Sequence, residues 1–277
     1  MASKLTLIIV LYNNEANEVI SLVKSVLAGT KIEVIIVNNG WVKNGSLLSR
    51  ETQITNYIIN RENMGFAKAC NIGANIAKTR YLLFLNPDLV VEKKNFKNVL
   101  NFMNFMNKNS DFAAAGCKII NSDSSLQHSC GKYPTIPNIM LDRLPVINKL
   151  VKTELIRQNR FYLTEQEPDW ICGAFMLARR DVFLKLGGFD EKYFMYGEDV
   201  DFCYRAKKAG YKIKYFPEAE IVHYDMGKSK ARKRNKAINM RKGFTIFFRK
   251  YKSPFYCFIW ETILKIEAFF RPELRQN

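Results

Sequence analysis

The chain has 277 residues, 48% of them hydrophobic and 13% aromatic, and carries a net charge of +17. That is the composition of a folded chain with a sizeable core, and it excludes a disordered one. No apolar run approaches the roughly 20 residues of a spanning helix, and six cysteines without a Cys-x-x-Cys pair beside two histidines argue against structural zinc and for free thiols in a reducing cytoplasm.

Taken in chain order, Leu5–Leu11 is a continuous apolar run that predicts a buried strand. It is short, lacks a cleavage-site pattern and runs into Tyr12-Asn13-Asn14, so it does not read as a signal peptide. An amphipathic helix is expected over 15–27, an apolar strand over 33–37 and a β-rich run over 55–59. A small-residue helix follows through Phe66, Ala67, Ala69, Cys70, Gly73, Ala74 and Ala77, then a strand over Tyr81–Leu85, a helix over 96–106 and a strand over 112–117. Strands without alternation, separated by helices, predict a mainly parallel sheet covered on both faces. Ligands of such sheets sit outside the carboxyl ends of the strands. The loops at Tyr12-Asn13-Asn14, Asn38-Asn39-Gly40 and Asn86-Pro87-Asp88 are therefore candidate sites.

Residues 118–168, with prolines at 134, 137, 145 and 168, read as loops plus one helix near 146–157, an insertion facing an acceptor. Regular patterning resumes over 170–178, followed by a short helix around 181–186. A helix over 199–209 is closed by Gly210 as C-cap, and two short strands follow over 212–216 and 220–223.

Chemistry concentrates at Gly197-Glu198-Asp199-Val200-Asp201-Phe202, where three carboxylates open a helix. A helix N-terminus favours ionised acids, so Asp199 is expected to stay deprotonated, as a general base must; capping alone is the bland alternative. Asn86-Pro87-Asp88 is either a Pro-Asp turn or a carboxylate placed to share Mg²⁺ or Mn²⁺ with a diphosphate. His223 closes a strand just before Gly227-Lys228-Ser229, and is either a polar edge residue or a metal ligand. His128 has no such context and receives no role.

In this order, with Asn63-Met64-Gly65-Phe66-Ala67-Lys68-Ala69-Cys70-Asn71-Ile72-Gly73, these motifs resemble the inverting glycosyltransferases of family 2, which have the GT-A fold. The resemblance spans roughly Leu5 to Lys230. It implies a nucleotide-sugar donor, a glycan or lipid-linked acceptor, and Asp199 as base with Glu198 as its alternative. Asp88 and His223 would hold the metal. Tyr12, Asn13, Asn38, Asn63, Gly65, Lys68 and Asn86 would line the donor site, and Trp170, Gly173 and Asp201 the sugar or acceptor side. Two departures stand out: Asn86 where the family's Asp-x-Asp has its first acid, and Asn38 where family members usually carry the Asp that accepts from the base. Asn-Pro-Asp with Gly-Glu-Asp-x-Asp looks most like bacterial rhamnosyltransferases of surface polysaccharide synthesis, which makes dTDP-rhamnose the first donor to consider.

Eleven basic residues and no acid lie between Met226 and Trp260. With Phe255, Tyr256, Phe258, Ile259 and Trp260 beside them, they suggest an interfacial helix on an anionic leaflet, or else a helix whose apolar face covers the catalytic domain. The expected division is a catalytic domain over 1–230 and a basic, aromatic helical extension over 231–277, the whole peripheral at the cytoplasmic face of the membrane. A polyanion-binding protein is the rival from another class, but no nucleic-acid-binding signature accompanies the charge. A nucleotidyltransferase would want a glycine-rich loop where Tyr12-Asn13-Asn14-Glu15 stands.

Overall fold

The computed structural model describes residues 4–27, 32–51, 53–143, 162–224, 230–271 and 273. The helix expected near 146–157 lies outside them. Strands β1 (Leu5–Leu11), β2 (Glu33–Asn38), β3 (Asn56–Ile59) and β4 (Tyr81–Leu85) alternate with helices α1 (Ala16–Leu27), α2 (Ser46–Arg50) and α3 (Phe66–Ile76). After β5 (Leu89–Val90) come α4 (Lys93–Lys108), β6 (Phe112–Asn121), β7 (Leu126–Gln127), β8 (Cys130–Gly131) and α5 (Ile136–Arg143). Strands β9 (Trp170–Ile171) and β10 (Phe175–Arg179) lead to α6 (Arg180–Lys185), α7 (Glu198–Lys208) and β11 (Lys212–His223). The chain closes with α8 (Lys230–Tyr251) and α9 (Pro254–Phe270).

The main sheet runs β3-β2-β1-β4-β10-β6-β11-β5, with β7 on β6. Pairs β1–β2, β1–β4, β2–β3 and β6–β11 are parallel. Alternate residues of β1 serve opposite faces: Leu5, Leu7, Ile9 and Leu11 join side chains of α1 and α4 in one core, while Ile8 and Val10 meet α3, α6 and α7 in another. Burial on both faces is why this strand reads as an unbroken apolar run.

Three expectations are corrected. The patterned stretch over 170–178 is two strands, and β10 enters the sheet antiparallel between β4 and β6. The two short strands at 212–223 are one, β11, with a register shift between Phe216 and Glu220 where Pro217 interrupts the ladder. The third concerns the C-terminal segment, which is a two-helix hairpin rather than a single helix. Trp260 is fully buried against Phe248 and Phe244, and with Phe247, Ile139 and Val200 forms a third core between the hairpin and α7. All six cysteines are free thiols, with Cys172 and Cys257 only half-buried.

Candidate active site

The first part of the site is the carboxyl edge of β1 and β2. Tyr12 is half-exposed there and Asn13 is exposed, in the left-handed region at φ 58°. Gly40 supports the Tyr12 ring at a distance no side chain would leave: a Cβ at position 40 would sit 2.7 Å from Cδ2 of Tyr12. Asn38 departs from expectation. It is buried, its Oδ1 accepts from Gly40 N–H at 3.0 Å and its Nδ2 donates to the Tyr57 hydroxyl at 3.0 Å. One end of the amide ties the loop to β3 and the other holds the loop's own turn. Asn39, read from the sequence only as part of a candidate loop, does similar work by donating to Gly65 O and accepting from Asn60 Nδ2.

Asn63 caps its own turn by accepting from Gly65 N–H at 3.0 Å, and Lys68 is half-buried on the first turn of α3. Gly65 is required by geometry. It has φ 84°, and a Cβ there would lie 2.5 Å from Phe194 O, the carbonyl that accepts from Phe66 N–H. Asn71 completes this docking by exchanging two hydrogen bonds with the backbone of Phe189. The donor-side motif thus anchors the 189–197 loop, which leads into the acids of α7. That role of Asn71 was not legible, because its partner lies 118 residues away.

At the start of α7 the three acids part company. Asp199 is half-buried and accepts N–H from Gly173 (2.8 Å) and Val200 (2.8 Å). Burial raises its pKa while the backbone N–H groups pull it down, and the net direction is up. Burial, rather than the helix terminus, is thus the larger influence on Asp199. Glu198 is 4% exposed, its Oε2 has no hydrogen-bond partner, and burial followed by the charge of Asp199 pushes its pKa well up. Glu198 is closed off from solvent while Asp199 is only half-buried, so Asp199 is the better placed of the two to meet an acceptor. Asp201 is fully buried. Its Oδ2 accepts from Arg205 Nε at 2.7 Å, and its Oδ1 takes Lys250 Nζ together with the Tyr251 hydroxyl at 2.8 Å. It is a fastening for α8 and is not open to a sugar, contrary to expectation.

Gly173 and Ala174 tie this helix to the sheet: Gly173 N–H donates to Asp199, and Ala174 O accepts from Asn86 N–H at 2.9 Å. Beyond Asn86, half-buried at the end of β4, the short strand β5 pairs Leu89 with His223. Asp88 and His223 consequently meet, with Nε2 3.1 Å from Oδ1. Across the ring, Nδ1 lies 2.8 Å from the amide oxygen of Gln127 on β7. With Nδ1 donating to that oxygen, Nε2 is the ring atom turned toward Asp88 Oδ1. That oxygen is buried without a hydrogen-bond donor. Trp170, which the sequence left open between a sugar-stacking and a core residue, is half-buried between two cores with Nε1 donating to Lys132 O at 2.9 Å.

A ring nitrogen and a carboxylate oxygen this close call for a proton or a cation between them. With metal–ligand bonds of about 2.1 Å, adjacent ligand atoms of an octahedral ion lie about 3.0 Å apart, so the pair fits a divalent ion. Among the described residues no group of three or more His, Cys, Asp or Glu could hold a metal. The remaining ligands would have to come from Asn86, water or a bound phosphate.

Residues 6–187 match the model of glycosyl transferase family 2, well over half of the sequence. The chain belongs to that family. Residues 153–268 also match glycosyl transferase family group 2. Among curated relatives, the rhamnosyltransferase WbbL of Escherichia coli K12 is 30% identical over 168 residues, covering 58% of this chain and 61% of the relative. The N-acetylglucosaminyl-diphospho-decaprenol L-rhamnosyltransferase of Mycobacterium tuberculosis H37Rv is 46% identical over 72 residues, 26% of this chain and 24% of that one. The matched stretches thus span less than two thirds of either relative. Among solved structures, the mannosyltransferase PcManGT of Pyrobaculum calidifontis, in complex with GDP-Man and Mn²⁺, superposes with TM-score 0.60 at 17% identity over 91% of this family-2 chain and 66% of its own. GalNAc-T7 with UDP, GalNAc and Mn²⁺ gives 0.59 at 16%, over 88% and 48%. Identities this low establish the shared fold, which is the GT-A fold that the motif order implied.

Proposed function

We propose that this family-2 member transfers a sugar from a nucleoside-diphosphate donor to an acceptor hydroxyl with inversion. The observation that carries the reading is the dipeptide Gly173-Ala174. It fixes Asp199 on one side and Asn86, at the end of the strand leading to Asp88, on the other. A proton acceptor and a cation-seeking pair are thereby held on one edge of the sheet.

Asp199 takes the acceptor's O–H proton. The freed oxygen pair forms the new bond to the anomeric carbon, and the bond from that carbon to the phosphate oxygen breaks, its electrons leaving with the diphosphate. The raised pKa suits this work, since a more basic carboxylate takes a proton more readily. Asp88 and His223, with Asn86 beside them, would hold Mg²⁺ or Mn²⁺, and Gln127 keeps the imidazole in its ligating tautomer. When bound, such an ion neutralises charge on the departing diphosphate. Tyr12 and Asn13 face the donor nucleotide, with Lys68 and the α3 terminus toward its phosphates.

Two relatives carry the name rhamnosyltransferase, so dTDP-rhamnose is the first donor to test and a lipid-linked diphosphate sugar the first acceptor. The protein would work at the cytoplasmic face, held peripherally at an anionic leaflet; no described helix is long and apolar enough to cross a membrane. A panel of nucleotide sugars with Mn²⁺ or Mg²⁺, scored by hydrolysis, tests the class and finds the donor. With that donor, Asp199→Asn should lower turnover by about 10²–10⁴-fold while leaving nucleotide binding in place. Turnover within a few-fold of the parent removes Asp199 from the mechanism.

A further inference from the structure

Helix α9 has two apolar faces, and among the described residues only one is packed. Tyr256, Trp260 and Leu264 turn inward to the third core, and Glu267 pairs with Arg241 of α8. Outward stand Phe255 (72% exposed), Phe258 (66%), Ile266 (55%), Phe269 (73%) and Phe270 (75%), with Ile259 at 37%. At about 100° per residue these six positions share an arc of about 120°, in which no charged residue falls. Five bulky side chains more than half in water on one helical stripe are not a fold requirement. The exposed Lys252, Lys265 and Arg271 flank the stripe, and the strongly basic α8 supports it from behind.

We infer that this outer arc of α9 seats in an anionic lipid leaflet, parallel to its plane. The inference rests on the proposed membrane attachment and assigns it to particular side chains. Charge selects lipid over a second copy of the chain: a surface carrying +17 repels itself, while the same cations are drawn to anionic headgroups. Length selects lying over spanning, because 17 residues extend only about 25 Å against a hydrocarbon core of about 30 Å. The seat is also connected to the site. Trp260 and its neighbours bind α9 to α8, and α8 approaches the acid-bearing turn so closely that a Cβ on Gly243 would lie 2.2 Å from Tyr196 O.

Truncation is the wrong test, since removing everything after Arg249 also removes Lys250, Tyr251 and Trp260, which fasten the fold. The full chain should instead carry Phe255→Ser, Phe258→Ser, Phe269→Ser and Phe270→Ser together, all at exposed positions. In flotation with phosphatidylglycerol–phosphatidylcholine vesicles the parent should bind, weakening as salt rises, and should ignore pure phosphatidylcholine. The variant should bind the mixed vesicles about tenfold less or weaker still, with unchanged melting and unchanged nucleoside-diphosphate affinity. A variant that floats like the parent would show attachment by charge alone and overturn the seat. So would a parent that ignores vesicles but forms a dimer, by sedimentation velocity, that the substitutions dissolve. Vesicle binding by a parent that hydrolyses no nucleotide sugar would leave the seat standing and remove the enzymatic reading.

Discussion

Two acid-bearing regions of this molecule differ in how fully their lone pairs are satisfied. In the seam between α7 and α8, Asp201 is fully buried and meets Arg205, Lys250 and Tyr251, with Tyr193 at 3.4 Å. At the end of the sheet, Asp88 and His223 face each other with an unmatched buried oxygen between them. A saturated carboxylate is a fastening. An unsatisfied one, held in place by its backbone and by a neighbour's tautomer, is prepared for something that arrives later. The two regions should therefore respond to substitution in opposite ways.

The seam should give the largest effect. Replacing Asp201 by Asn leaves two cations facing a neutral amide in a buried place, and breaking such a pair costs about 3–5 kcal/mol. Urea unfolding monitored by circular dichroism should show that loss, with nucleoside-diphosphate affinity preserved where the protein remains folded. A loss below about 1 kcal/mol would mean that Asp201 is free enough to serve a substrate.

The sheet end should behave in the reverse sense. Asp88→Asn and His223→Ala disturb a partly exposed pair rather than a saturated buried one, so melting should stay nearly level. Metal-supported binding of a nucleoside diphosphate should weaken by about 10–100-fold or more, and chelation by EDTA should imitate both. Calorimetry showing tight binding indifferent to EDTA would assign the diphosphate charge to basic side chains instead. Gln127→Leu, one step further out, should weaken metal-supported binding by less, because the imidazole remains but loses its tautomer preference.

The difference between these regions also marks how far the sequence could be read. Leu5–Leu11 and Tyr81–Leu85 were legible to the residue, because burial on both faces leaves a run that only an interior strand tolerates. The helix of acids was legible within one residue of its start, through Gly197 and the polarity of its first turn. The pairing of Asp88 with His223 was available only as a family resemblance. What makes it physical is β5, two residues long, lying antiparallel on β11, and two residues carry no periodicity. The misreading of Asp201 has a similar origin. Its partners Lys250 and Tyr251 come from a helix about 50 positions later, and nothing in Gly-Glu-Asp-Val-Asp distinguishes the acid that is fastened from the acid that is offered. In α9, periodicity was present but two-sided. An apolar stripe facing the core and another facing outward merge into one aromatic run, so the sequence supported both readings; the fold packs one stripe and leaves the other exposed.

The smallest effect lies between the two regions, at Glu198. Its carboxyl is raised by burial and then by the charge of Asp199, so the folded chain binds that proton more tightly than the unfolded chain does. The sign follows from linkage. Stability from this group is complete below the ordinary glutamate range and is lost as pH rises from there through the folded value. Gln has nearly the same shape and no proton to lose. Glu198→Gln should therefore melt like the parent near pH 4 and progressively above it on the way to about pH 8, where the gain should reach about 1 kcal/mol. Because Asp199 is the second cause of the shift, the gain should shrink in an Asp199→Asn background. Turnover in Glu198→Gln should stay within a few-fold of the parent, since a buried acid that keeps its proton cannot take another. A gain that does not grow with pH would mean that Glu198 is already ionised in the fold. A drop in turnover matching that of Asp199→Asn would return Glu198 to the chemistry and place it, with Asp88 and His223, among the groups kept unsatisfied for a purpose.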